Sequence, residues 1–307
     1  MKLLEKFGID TKSLAEQAIK QEEVRKSRTL LLDGDALCYR VTANCKKLDT
    51  ALRRYEQGVL EIMYLVSAGD ARVHITPRGC SKNSRGELNT VLSYQGNRKN
   101  RPKPALLTPL RDALPGYFED HKYIQILQDY ALEADDTLMQ DAFIFKDKGV
   151  LVSEDKDLNI NPYRDFDLNN GLFREPLENK FGFLVRSETS SGKPKIVGKG
   201  TKFFWWQMLA GDKADNVRGL SKYNGKLMGD IAAYNFCIDE KEEAALATKI
   251  LDMYSEVNQN PLTEGHALWL TRWEGDSFEN YLTELGITVQ NSWVQQKWRV
   301  YDWTKIN

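Results

Sequence analysis

Acidic residues gather in four short clusters, and each lies where a segment of strand or helix periodicity begins or ends. Leu30–Leu32 runs into Asp33-Gly34-Asp35, and Gly149–Val152 runs into Ser153-Glu154-Asp155-Lys156-Asp157. Glu133-Ala134-Asp135-Asp136 opens an amphipathic stretch, and Phe203–Ala210 runs into Gly211-Asp212-Lys213-Ala214-Asp215-Asn216. Short, fully apolar runs are the pattern of buried parallel strands. Strands alternating with helices build an open α/β sheet, whose site lies at the carboxyl ends of its strands. Carboxylates packed this densely repel one another when buried. A hard cation relieves that cost, and Mg²⁺ or Mn²⁺ takes oxygen ligands. The expectation is a divalent-metal enzyme acting on phosphodiesters. In two-metal hydrolysis one ion activates water and another, roughly 3.5–4 Å away, stabilises the leaving oxygen.

Charge does not oppose that reading. The chain has 43 basic and 44 acidic residues, a formal net charge of −1. Nine acids, at positions 33, 35, 133, 135, 136, 155, 157, 212 and 215, belong to the clusters, and setting them aside leaves +8 on the rest. Nucleic acid therefore stays open as a partner. Cys38, Cys45, Cys80 and Cys237 form no Cys-x-x-Cys pair and have no histidine at ligand spacing. Reduced thiols in a cytoplasmic protein are the simplest reading, and zinc is not expected. Met1–Asp10 lacks the apolar stretch of a signal peptide. No run approaches the roughly 18–20 apolar residues that span a membrane. No organic cofactor is expected.

Along the chain, residues 3–27 read as an exposed helix and 29–32 as a buried strand. A helix carrying Leu48, Leu52, Tyr55, Val59 and Ile62 follows, then strands over 71–76 and 123–127. Residues 135–146 read as a helix with Leu138, Met139, Ala142 and Phe143 on its apolar face. Asp135 falls one turn before that stripe, at the end where the helix dipole favours a carboxylate. Residues 149–152 are another strand, and 187–200 a loop or hairpin. Phe203–Ala210 is a helix apolar on nearly every side, stopped by Gly211. A domain boundary is placed near residue 203, giving domains 1–202 and 203–307. Glu240–Val257 reads as an amphipathic helix, and the Trp-rich end as packed core. Tyr94–Lys103 is polar and basic, with Arg98, Lys99, Arg101 and Lys103 close together and Pro102 keeping the segment extended. Lys193, Lys195, Lys199 and Lys202 make a second basic stretch, either a duplex-tracking surface or a solubilising loop.

The order Leu-Leu-Asp-Gly-Asp (31–35), Tyr-Gln-Gly-Asn-Arg (94–98), Glu-Ala-Asp-Asp (133–136), Ser-Glu-Asp-Lys-Asp-Leu (153–158) and Gly-Asp-Lys-Ala-Asp-Asn-Val-Arg-Gly (211–219) resembles the flap endonuclease / 5′→3′ exonuclease superfamily. The Trp205-Trp206 helix running into Gly211-Asp212 is similar to the exonucleases of podovirus-type bacteriophages. The resemblance covers roughly residues 29–230. It implies a PIN-like α/β parallel-sheet nuclease domain, followed by a small helical domain of helix-hairpin-helix type that binds duplex. It implies first-metal acids Asp33, Glu133, Asp135 and Asp155, with Asp136 adjoining them. Asp157, Asp215 and Asp212 match the second-metal side. Tyr94, Gln95, Arg98, Lys99, Arg101 and Lys103 match the arch that grips the 5′ strand, with Arg98 and Lys99 as its catalytic cations. Gly219, Lys222, Gly225 and Lys226 match the turn that holds a duplex phosphate. The implied activity is Mg²⁺-dependent hydrolysis, with Mn²⁺ as the alternative ion, at 5′ ends or flaps of duplex DNA and of RNA in RNA–DNA hybrids. A host-cytoplasmic setting follows for a phage protein.

Three departures stand out. Pro77 and Arg78 replace the acid that usually follows the family's second strand, a role open to Asp35 or Asp70. Gln95 stands where the arch motif commonly has lysine. Lys222 and Asn224 replace glycines of the hairpin turn. Two other readings compete. A haloacid-dehalogenase-type phosphatase would use Asp33 as its nucleophile. A non-catalytic structure-specific nucleic-acid binder would carry a decayed metal site.

Overall fold

The computed structural model describes residues 11–98, 102–189 and 191–299, with the side chains of 11–18 outside that description. Lys99 and Arg101 of the expected arch, and Tyr301 and Trp303 of the aromatic end, lie outside the described residues. The centre is a six-stranded sheet in the order β3-β2-β1-β4-β5-β6. Its strands are β1 (Thr29–Asp33), β2 (Asp70–His74), β3 (Ile124–Leu127), β4 (Gly149–Val152), β5 (Asp165–Asp167) and β6 (Leu172–Arg174). The first five run parallel and β6 returns antiparallel.

The expected 3–27 helix is described as α1 (Thr11–Ser27), its residues 3–10 lying outside the described residues. Strand alternation sends side chains to two separate cores. Leu30 and Leu32 of β1 pack with Val150 and Val152 of β4 under α2 (Gly34–Thr42), α3 (Leu48–Leu65) and α4 (Leu107–Tyr117). Leu31 and Leu151 face the opposite side, against Leu138, Met139 and Ala142 of α5 (Ala134–Phe145). Helices on both faces explain why β1 and β4 are apolar at successive positions. The α/β class with a mostly parallel sheet is as expected, and the 123–127 strand is an edge.

The second face continues into a helical region. A hairpin, β7 (Phe183–Glu188) with β8 (Pro194–Lys199), leads into α6 (Thr201–Ala210). Glycines at φ 87° and φ 76° bound that helix, Gly200 before and Gly211 after. Every residue from Lys202 to Leu209 is buried, which accounts for its all-round apolar sequence. Around it lie α7 (Asp230–Cys237), α8 (Glu243–Glu256), α9 (Pro261–Leu268), α10 (Phe278–Glu284) and α11 (Asn291–Gln296). Phe204 meets Trp269 edge-on at 5.0 Å, and Trp269 stacks on Tyr281 at 4.3 Å. Trp269 and Trp293 are thus core, while Trp273 and Trp298 are exposed. The apolar packing runs unbroken across residue 203, from Leu31 and Met139 through Trp205 to Phe278.

The second basic stretch is corrected at two positions. Lys199 is buried against Asp165 and the Tyr163 carbonyl, and Lys202 donates to the carbonyls of Ile238 and Glu240. A buried ammonium needs such partners, so neither faces a ligand. Lys193 and Lys195 remain exposed on the hairpin.

Candidate metal and nucleic-acid site

The acids meet at the carboxyl ends of β1 and β4. Asp33 closes β1 and caps α2, accepting from the amides of Asp35 at 3.0 Å and Ala36 at 3.3 Å. Ser153, just past β4, donates its hydroxyl to Asp33 Oδ2 at 2.8 Å and accepts the Asp155 amide at 2.9 Å. Asp155 then caps the next turn by accepting the Asp157 amide at 2.9 Å. One relay of hydrogen bonds thereby fixes three acids from two strands. Burial, then the neighbouring Asp35, pushes the Asp33 carboxyl up to about 6.

Asp135, in the first turn of α5, is held differently. Burial, followed by Asp155 and Asp33, pushes its carboxyl well above the usual carboxylate range. It has no hydrogen-bond or ion-pair partner among the described residues. Glu133, one residue before α5, has many. Its carboxylate accepts from Lys82 Nζ at 2.9 Å, Arg85 at 3.2 Å, the Tyr94 hydroxyl at 2.8 Å and Gln95 Nε2 at 3.3 Å. Burial opposes its ionisation, but Arg85 and Lys82 prevail and hold it below the usual range.

A second group gathers beside the first. One carboxylate oxygen from each of Asp157, Asp212 and Asp215 lies within 4.8 Å of the others. Gly211 and Gly219 lie back to back to form the Asp212–Asp215 loop. A Cβ on Gly211 would stand 2.4 Å from the Arg218 carbonyl, and one on Gly219 2.4 Å from the Gly211 nitrogen. Asp212 Oδ1 accepts the Ala214 amide, while the buried Oδ2 has no partner. Lys156 Nζ lies 2.7 Å from Asp157 and 3.0 Å from Asp212. Burial and then Asp155 raise the Asp157 carboxyl, whereas Lys156 outweighs burial at Asp212 and lowers it.

The basic segment closes over this group. Gln95 Nε2 donates to Asp215 at 3.1 Å, Arg98 pairs with Asp215 and donates to the Ala214 carbonyl, and Asn97 donates to the Lys213 carbonyl. Arg98 and Lys103 face a cleft of about 810 Å³ that Asp35, Glu133, Asp135, Asp155 and Asp215 also line.

Several expected residues are placed elsewhere. Asp136 is fully buried, does not line the cleft, and shares the Arg85 guanidinium with Glu133. Arg85 donates to its two oxygens at 2.6 and 2.8 Å, and the Thr271 amide donates at 3.1 Å. One residue along a helix turns a side chain by about 100°, so Asp135 and Asp136 cannot share a face. Gly219 donates its amide to buried Glu264, so that amide is not presented to a phosphate. Gly225, Lys222 and Lys226 are exposed on a tight turn in which Asn224 and Gly225 have φ 50° and 76°. Asp70 opens β2 at the wrong end of the sheet. Asp35, by contrast, accepts the Thr76 amide at 3.3 Å, just past β2, and pairs with Arg111 at 2.8 Å. It therefore stands where the strand-end acid is missing. Lys82 and Arg85 also belong to the site, and their only signal in the sequence is two cations in an aperiodic polar stretch.

The donor set suits a hard cation: oxygen only, one carboxylate without a protein donor and one buried carboxylate oxygen unpartnered. No protein-family model matches the chain, and no curated protein matches it. Among solved structures it is similar to the T5 D15 protein co-crystallised with metal ions, with a TM-score of 0.51 and 15% identity over 88% of this chain and 96% of that one. A T5 5′-exonuclease mutant aligns at TM-score 0.45 and 14% identity, over 88% and 96% of the two chains. A bacteriophage T5 D15 flap endonuclease complex with DNA and metal ions aligns at 0.44 and 14%, over 84% and 97%. The sequence resemblance to the phage members of the flap endonuclease / 5′→3′ exonuclease superfamily is thus matched in the fold, with its α/β sheet and attached helices.

Proposed function

We propose that this chain is a divalent-metal-dependent nuclease that hydrolyses phosphodiesters at 5′ ends or flaps of duplex DNA, and RNA in RNA–DNA hybrids. The observation that carries this reading is Asp135: a carboxylate set among Asp33, Asp155 and Glu133, with no protein donor among the described residues. Asp135 lines the cleft, so its carboxylate is open to a ligand there and is not committed to a protein donor. Asp33, Asp135 and Asp155, with Asp35 in the place of the missing strand-end acid, would hold one Mg²⁺ or Mn²⁺. Asp157, Asp212 and Asp215 would hold a second. When bound, such ions supply Lewis-acid charge and lower the pKa of water.

The chain's own residues do the rest. Ser153 and the α2 amides fix the direction of Asp33, and the Gly211–Gly219 contact fixes Asp212 and Asp215. Arg98 and Lys103 offer cations to a phosphate backbone entering the cleft. Residues 203–307 act as the duplex-binding helical domain, with Lys222 and Lys226 as phosphate contacts. The phosphatase alternative is not favoured. It would leave Asp135, which lines the cleft, and the Asp157–Asp212–Asp215 group without a role.

The test uses a 5′-labelled flapped duplex, an RNA–DNA hybrid and a chromogenic phosphomonoester. Mg²⁺-dependent release of short 5′ products, abolished by EDTA and by Asp155→Asn, is expected. Tight duplex binding without cleavage in Mg²⁺ or Mn²⁺ would replace this reading with the non-catalytic binder. Hydrolysis of the monoester alone would restore the phosphatase.

A further inference from the structure

We propose that Lys82 supplies the ammonium that stabilises charge on the scissile phosphate, doing so from outside the Tyr94–Arg98 motif in which this chain carries Gln95; the assignment rests on the nuclease reading. Lys82 Nζ lies 2.6 Å from Gln95 Oε1 and 2.9 Å from Glu133 Oε1. Its charge therefore sits at the tip of the Gln95 side chain. An ammonium has three N–H donors. Two are used, and the third has no protein acceptor among the described residues. The side chain is 38% exposed and lines the cleft with Asp135 and Asp155.

The backbone is shaped to aim it. Lys82, Asn83 and Ser84 have φ of 55°, 53° and 54°, three successive non-glycine residues in the left-handed region. Such strain persists only where the surroundings over-determine it. Here the Asn83 amide donates to the Ala131 carbonyl at 2.6 Å, the Ser81 amide to Tyr130 at 2.8 Å, and His266 Nε2 lies 3.1 Å from the Asn83 carbonyl. The segment is fastened to the loop that delivers Glu133. It sends Lys82 into the cleft and Arg85 into the core. Neutralising Glu133 alone does not require this, since Arg85 and Tyr94 already bond its other oxygen.

In the reaction, the oxygen of water bonds to phosphorus, one P–O ester bond breaks, and the proton of water ends on the leaving alkoxide. Lys82 stays protonated throughout and donates a hydrogen bond to a non-bridging oxygen as its charge grows.

Single-turnover cleavage and duplex binding are measured separately for wild type, Lys82→Met, Lys82→Arg and Lys82→Met/Gln95→Lys. Lys82→Met is expected to slow cleavage roughly 10²-fold, the usual effect of losing one charge-stabilising donor, with duplex affinity little changed. Lys82→Arg should retain much of the rate, and adding Gln95→Lys should restore much of what Lys82→Met loses. A purely structural lysine would not be rescued from position 95. An unchanged rate in Lys82→Met, or a loss that Gln95→Lys does not recover, overturns the assignment while wild-type cleavage keeps the nuclease reading intact. Absence of Asp155-dependent cleavage in wild type overturns both.

Discussion

Replacing Arg85 with Met should cost about 3–5 kcal/mol of folding stability, the penalty for stranding a buried charge. Arg85 is 1% exposed and Asp136 fully buried. The guanidinium makes two bonds to Asp136, one to Glu133 and one to the Trp269 carbonyl at 2.7 Å. Without it, Glu133 keeps Lys82, Tyr94 and Gln95, whereas Asp136 keeps only Thr271. The loss is therefore concentrated on Asp136. Adding Asp136→Leu removes the stranded carboxylate, and the double variant should recover at least half of the deficit. Urea unfolding of the four proteins in the Arg85/Asp136 cycle gives the coupling directly. A single-variant loss below about 1 kcal/mol, in the range of an exposed pair, would refute the reasoning. So would a double variant that costs the sum of the two singles.

Burial, against the Val91 and Gly219 amides, raises the Glu264 carboxyl to about 7. Because the folded value lies above the unfolded one, its contribution is fully present below the ordinary glutamate range and is lost as pH rises towards 7. The loss is of order 3 kcal/mol. Wild type minus Glu264→Gln stability, followed by urea unfolding between pH 4.5 and 7.5, should show that decline, and a flat difference would contradict it. Lys156 bridges Asp157 and Asp212, placing one positive charge between them. Lys156→Ala should strengthen Mg²⁺ binding there by about tenfold, after discounting for the lysine's exposure. Calorimetric titration of the second ion checks this, and unchanged or weaker binding would count against a competing ammonium.

Local patterning carries the frame of the fold. Leu30–Leu32 and Val150–Val152 are apolar at successive positions because both faces of the sheet are covered, a local pattern that needs no knowledge of partners. Asp33 and Asp155 are legible for the same reason: a polar residue ending such a run must sit at a strand's end. Gly211 announced the end of α6 because only glycine takes that backbone freely.

Which acids face one another is set by packing between elements. Asp135 and Asp136 are neighbours in sequence, yet one lines the cleft and the other is buried against an arginine from 51 positions away. Gly219 reads as part of a phosphate-binding turn, but its amide is claimed by Glu264, 45 residues on. Lys82 and Gln95 carry no periodic signal that would bring them together. Periodicity reports which face of an element is buried. Charge pairing and burial depend on distances between elements, and those are fixed only when the sheet, α5 and α6 pack.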